Sequence, residues 1–373
     1  MSTSIESAEK LYKYILDRHW DGSGLIGPDP GLRFNFRLWR FVKSYTPFIP
    51  YNDNYYFLQC QGYWVFDNAL MYQILHDDKY LKIIKLTADR ILSRQSEEGF
   101  WLYPLPEWRG RVATVEGNYG ARALLKAHTL LKDEKYLEGA LKWHKFLTTK
   151  AGFLKYRDSL AINYFAGIDG RLVPNNATLA LAFLAELFDV TGLQEHLVYS
   201  EEMIKFIGYT QKENGELPYA FATDEIPGRE HFLCFQYNSF QLIDLASFYQ
   251  STKNSDVFRI MSKMADFLSG GVDIDGHCNY NCFKSKPVVP YYTGAIGAAL
   301  CTAQKLGIAD YSGLYEKAFR FLLSQQSKNG AFYYSKNNYG ILKDRRSYPR
   351  YLVMILKHLL MKAYDEENMT REH

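Results

Sequence analysis

The sequence has little cysteine. Its five thiols, Cys60, Cys234, Cys278, Cys282 and Cys301, are odd in number and scattered over 373 residues. Such a set is no disulfide framework and fits a reducing compartment, so a cytoplasmic protein is expected. His277-Cys278 followed by Cys282 matches no standard zinc spacing and lacks a second ligand pair, so no metal and no cofactor is expected. No stretch reaches the roughly 18 apolar residues of a membrane span. The segment Met1 to Lys10 is polar and lacks the apolar run of a signal peptide. Charge of one sign is missing too: the net charge of +3 gives no reason to expect a nucleic-acid or membrane-surface partner.

What is present is an ordinary globular composition, 47% hydrophobic and 23% charged, with an unusual load of 30 Tyr and 24 Phe. It also contains a repeat. Gln95 is followed by Gly99 and Tyr103, Gln211 by Gly215 and Tyr219, and Gln326 by Gly330 and Tyr334. Gly152 with Tyr156 and Gly276 with Tyr280 keep the last two members of the pattern. The intervals suit a helical hairpin plus connectors. Each Gly follows an amphipathic run such as Leu81, Ile84, Ala88, Ile91 and Leu92, or Val257, Ile260, Met261, Met264 and Leu268. A position just past a helix often requires φ > 0, which glycine supplies.

After each connector comes a second kind of helix, apolar on most sides, expected near 56–75, 112–131, 175–190, 232–249, 290–306 and 348–362. The first set then forms an outer ring and the second an inner ring. The expected fold is all-α, a single domain over residues 1–373, an (α/α)6 toroid of six helical hairpins. Short turns link inner to outer helices. The long connectors gather at the N-termini of the inner helices, where function usually resides.

The run Lys317-Ala318, Phe321-Leu322, Gln326, Gly330-Ala331-Phe332, and the copy Gln95, Gly99-Phe100-Trp101, resemble the repeat of terpenoid cyclase and protein prenyltransferase toroids. Six-hairpin glycosidases and uronate C5-epimerases share that architecture. The segments from Asn175 to Tyr219 and from Gly330 through Tyr348-Pro349-Arg350 are most similar to toroid proteins associated with polysaccharide biosynthesis. The resemblance implies the fold. It does not carry over the cyclases' chemistry, because their Asp-x-Asp-Asp and Asp-Asp-x-x-Asp motifs are absent, as is the prenyltransferase zinc set. The Tyr- and His-rich segment associated with glucuronate C5-epimerases is absent too.

Every long connector carries cations: Arg37 and Arg40; Arg109 and Arg111; Arg171; Arg229; Lys284 and Lys286; Arg345, Arg346 and Arg350. Together with six helix N-termini they favour an anionic ligand. Interleaved aromatics, among them Trp39, Tyr51, Tyr339 and the pairs Tyr55-Tyr56 and Tyr291-Tyr292, offer stacking faces and polar tips to sugar rings. Glu116, Glu230, His231 and Tyr292 are the candidate acid–base residues; Asp169, Asp273, Asp275 and Asp344 are further connector carboxylates. Arg109, Arg111, Asn118, Tyr119, Asn176, Arg229, Tyr237, Tyr291, Arg346, Arg350, Tyr55 and Trp64 are the candidate substrate-binding residues. For a uronate, a base removes the proton α to the carboxylate while a cation or donor stabilises the developing charge. The function expected is therefore an enzyme on an anionic, uronate-containing glycan, epimerase-like, or a lyase or hydrolase. Two alternatives stay open: a non-catalytic toroid binding glycan or protein, and an isoprenoid enzyme. A glycan or oligosaccharide is the expected partner; the sequence does not fix the oligomeric state.

Overall fold

The computed structural model describes residues 3–29, 42, 45–46, 49, 54–168, 170–224, 227–339, 342–344 and 346–371. Arg37, Trp39, Arg40, Tyr51, Asp169 and Arg345, singled out above, lie outside the described residues, as do the side chains of Tyr339 and Asp344. Among the described residues, twelve α-helices alternate between two rings. The outer ring is α1 (Thr3–His19), α3 (Lys79–Ser93), α5 (Glu134–Phe146), α7 (Ser200–Thr210), α9 (Ser255–Ser269) and α11 (Ser312–Ser324). The inner ring is α2 (Leu58–Leu75), α4 (Thr114–Leu131), α6 (Pro174–Thr191), α8 (Cys234–Thr252), α10 (Pro290–Lys305) and α12 (Pro349–Arg371). The chain has the (α/α)6 toroid fold.

The two rings differ in sequence because they differ in surroundings. An outer helix buries one stripe: in α9 it is Val257, Ile260, Met261, Met264, Ala265 and Leu268. An inner helix is enclosed on most sides, so α6 is buried without a break from Asn176 to Ala185. Neighbouring inner helices pack on one another around the ring, and α12 packs on α2 to close it. The last hairpin is made from the two ends of the described chain, with α1 packed on α12.

Short turns reverse the chain between inner and outer helices. His76, Lys132 and Lys253 each stand at φ near +55°, and each N–H closes the preceding helix on the carbonyl of Tyr72, His128 or Tyr249. The Gln–Gly repeat works at the outer wall. Gln95 Nε2 donates to the Gly99 carbonyl and to Gly139 of α5, both at 2.8 Å. Gln211 bridges Gly215 and Ile260 of α9 in the same way, and Gln326 bridges Gly330 and Ser7 of α1. Gly99 stands at φ +98°, and a Cβ there would collide with the Lys142 carbonyl. Gly215, Gly276 and Gly330 meet Lys263, Lys317 and Lys10 likewise. The repeat is a staple between successive outer helices.

Among the described residues, strand appears only in connectors. Phe153–Tyr156 (β1) pairs with Ser159–Ile162 (β2), and Ser335–Tyr339 (β3) with Leu342–Asp344 (β4), both antiparallel. The sequence reading did not foresee these hairpins, because strands of three to five residues leave no periodicity against the helical signal. Among the described residues no helix is long and apolar enough to cross a membrane.

Candidate functional site in the axial cavity

At the level where the inner helices begin, the ring encloses a cavity of about 100 Å³ to which all six contribute. Gln59 comes from α2, Tyr119 from α4, Asn175 from α6, Gln236, Tyr237 and Asp244 from α8, Tyr291 from α10, and Arg350 and Tyr351 from α12. A larger cavity, about 370 Å³, occupies the other half of the axis. Tyr119, Phe240 and Asp244 line both and separate them.

Arg350 is the cation of the first cavity. Its Nε lies 2.8 Å from Asp29 Oδ2, its Nη2 donates to Asp29 Oδ1 at 3.0 Å, and its Nη1 donates to Gln59 Oε1 at 3.2 Å. Gln59 also joins the cavity to Glu116. The Gln59 backbone N–H donates to Glu116 Oε2 at 3.1 Å. Since α2 has no side-chain cap of its own, Glu116 on α4 satisfies one of its free N–H groups. Burial pushes the Glu116 carboxyl up to about 7, against the pull of Arg350 and the α2 backbone.

The tyrosines of the cavity are donors. Burial raises Tyr119 to about 12 and Tyr237 and Tyr291 further still, and raises Tyr351 as well. All four therefore keep their protons at neutral pH. Tyr291 and Tyr351 stack with centroids 4.2 Å apart. The groups able to accept a proton are carboxylates. Asp244, raised to about 6 by burial with Arg122 opposing, is one, and Glu116 behind Gln59 is another. The arrangement combines protonated hydroxyls, carboxyls titrating near neutrality and one fixed guanidinium, which suits proton transfer at a carbon or oxygen of a polar ligand.

Of the residues singled out in the sequence, Tyr119, Tyr237, Tyr291 and Arg350 line this cavity. None of the four acid–base candidates touches its wall. Glu116 turns to the α2 terminus, and Tyr292 lies buried against Tyr291 with centroids 4.6 Å apart. Glu230 is exposed and bonded to Lys212. His231 faces Glu216, with Nδ1 2.8 Å from Oε2. Asn118 accepts from Trp143 Nε1 at 2.9 Å. Asn176 is fully buried with neither amide atom hydrogen-bonded. Trp64 stacks on Tyr12 of α1, 4.8 Å between centroids, and Tyr55 pairs through its backbone with Gly27. The connector cations sit largely on aromatic rings: Arg111 over Phe165, Arg229 over Phe232 and Tyr219, Arg346 over Tyr348. Arg109 is exposed.

Sequence reasoning missed Gln59, Gln236, Asp244 and the Arg122 that holds Asp244. Arg122 donates to Asp244 at 2.8 Å and to Glu186 at 2.7 Å, joining α4, α6 and α8. The signal was available: a charged side chain inside a helix buried on most sides needs a partner.

No family model matches the chain, and no curated protein matches it in sequence. Solved structures do match in fold. A polysaccharide lyase superposes with a TM-score of 0.69 at 12% identity, over 98% of this chain and 99% of its own. The cellobiose 2-epimerase of Bacillus thermoamylovorans gives 0.68 at 12% identity, over 96% and 99%. An α-1,6-mannanase from Salegentibacter gives 0.69 at 12% identity, over 97% and 99%. These neighbours share one toroid and carry three different activities, so the fold is common to them and the chemistry is not.

Proposed function

We propose that this protein is a carbohydrate-active enzyme whose axial cavity binds a uronate-containing glycan and moves a proton at the carbon next to the uronate carboxylate, as an epimerase or a lyase does. The observation that carries this reading is the composition of one cavity. It holds a half-buried guanidinium, hydroxyls kept protonated, and a carboxyl raised to about 6. Arg350 donates through Nη2 to Asp29 and, at 3.4 Å, to Tyr351, and through one N–H of Nη1 to Gln59, while its Nε faces Asp29 Oδ2 at 2.8 Å without a hydrogen bond; the second Nη1 N–H is available to a substrate carboxylate. Asp244 takes the proton, and Tyr237 or Tyr291 returns one. Sugar rings stack on the same tyrosines. The sugar-acting neighbours support the substrate class.

Hydrolysis needs two carboxyls facing each other across the bond. Asp244 is the one carboxylate among the described residues lining this cavity, and Arg122 already neutralises it. That favours carbon-acid chemistry over hydrolysis. The charged and amide groups of the wall also argue against an isoprenoid ligand.

The test is solvent exchange. The protein is incubated with uronate oligosaccharides in deuterated water and the products are followed by NMR and mass spectrometry. Deuterium at C5 is expected, and an unsaturated product would select lyase over epimerase. Absence of exchange across a broad glycan panel would remove the carbon-acid reading.

A further inference from the structure

At the head of α8, away from the axial cavity, four metal-ligating side chains from three segments of chain meet. We propose that Glu216, His231, Cys234 and Cys282 form a tetrahedral zinc site that ties two connectors to the start of α8. Glu216 Oε2, His231 Nδ1 and Cys282 Sγ lie within 4.8 Å of one another. Cys234 Sγ lies 3.2 Å from Cys282 Sγ.

The arrangement of Glu216 points to a ligand. This carboxylate is fully buried. Its Oε1 accepts the His231 backbone N–H at 3.0 Å, while Oε2 and His231 Nδ1 are buried without a hydrogen bond, though only 2.8 Å apart. One oxygen thus fixes the group, and the other faces an imidazole nitrogen and a thiol without a hydrogen bond. The next residue, Leu217, is held to α8 through both its N–H and its carbonyl by Asn238, at 2.8 and 3.0 Å. The donors are therefore placed by bonds that do not depend on the metal.

The donor set selects the ion. Two sulfurs and an imidazole suit zinc, whereas calcium and magnesium take oxygen ligands. Zn–S bonds of about 2.3 Å and Zn–N or Zn–O bonds of about 2.0 Å in a tetrahedron separate the sulfurs by about 3.7 Å and nitrogen from oxygen by about 3.3 Å. The sulfur pair at 3.2 Å and the Nδ1–Oε2 pair at 2.8 Å stand about half an ångström tighter than these separations, while Cys234 lies outside the 4.8 Å grouping of the other three and reaches the ion by side-chain rotation. Binding releases the two thiol protons to solvent. Two thiolates, a carboxylate and Zn²⁺ leave one negative charge, and Lys212, 4.0 Å from Glu216 Oε2, offsets it. Four protein ligands close the coordination shell, which marks a structural site. Gln236 and Tyr237, next along α8, line the axial cavity, so the metal would stiffen the mouth.

The test uses the whole protein, treated with chelator, kept reduced and titrated with Co²⁺. One equivalent is expected to give a thiolate-to-cobalt charge-transfer band and intense ligand-field bands of tetrahedral geometry, both erased by Zn²⁺. C282S, at an exposed position, should lose the charge-transfer intensity while melting at the temperature of the metal-free parent. D275N, in the neighbouring sulfur-free cluster of Asp273, Asp275 and His277, should keep it. A silent titration, or a band that survives both C282S and C234S, would overturn the proposal. So would a protein two hydrogens lighter by mass when isolated without oxygen, since the two sulfurs would then be a disulfide.

Discussion

The two halves of the toroid axis are solvated by the protein in opposite ways. In the cavity at the C-terminal half of the inner helices, Arg122, Lys126, Lys305 and Lys357 face the carbonyl ends of the helices, with Glu186 and Asp244 among them. There the cations answer the partial negative charge of the helix termini and the chain is electrically complete. At the other end six N-termini converge and want anions. Around the axial cavity there, Glu116 is spent on the α2 terminus and Asp29 on Arg350, while Glu216 and Glu230 lie outside the cavity beside the head of α8. The difference teaches where a ligand is needed: the end whose field the protein leaves open is the end lined with tyrosine hydroxyls.

The comparison can be broken most forcefully at the complete end. Replacing Arg122 by Met leaves Glu186 and Asp244 without their partner. The loss expected in chemical denaturation is about 3–5 kcal/mol, the usual result of removing one member of a buried ion network. A variant as stable as the parent would mean that this half is not held by its charges.

At the open end the expected signature is a pH dependence. Glu116 titrates near 7 in the folded chain against an ordinary 4.5, so the folded state binds the extra proton. Its contribution is full below pH 4.5 and is lost as pH rises to about 7, a fall of about 3 kcal/mol. In E116Q the decline between pH 5 and 8 should shrink by that amount relative to the parent; parallel curves would place the carboxyl in water.

A wall substitution sharpens the contrast by sparing both ends. Gly99→Ala forces a Cβ onto the Lys142 carbonyl at a positive φ, for which a loss of about 1–3 kcal/mol is expected. The melting temperature should drop while the pH profile keeps its shape. Least visible in stability is Tyr237→Phe, expected to stay within about 0.5 kcal/mol of the parent. Its effect should appear in glycan binding or turnover, and an unchanged rate would take Tyr237 out of the site.

The fold was legible because the repeat is written in residues with one purpose. Gln95, Gln211 and Gln326 recur since each must reach two carbonyls, and the glycines since a side chain would strike the next helix. The helix spans expected for the inner ring start within two residues of those observed. The site was only partly legible. An inner helix such as α8 is buried on most sides, polar residues included, so periodicity does not tell which of Gln236, Tyr237 and Asp244 faces the axis. Connector arginines drew attention as a ligand-binding set, yet Arg111, Arg229 and Arg346 lie on aromatic faces. A linear reading sees the charge and not the ring beneath it.

Ring closure by α1 against α12 also dictates an order of events. The apolar stripe of α1, Ile5, Ala8, Leu11 and Ile15, finds its inner partner only when the final hairpin exists, because Gln326 and Glu366 supply the bonds to Ser7 and Ser4. Among the toroid's helices, α1 is made before the others and is housed after them. Five hairpins can stack as they emerge, while α1 waits for α12, exposed to holdases and to the matching groove of another nascent copy.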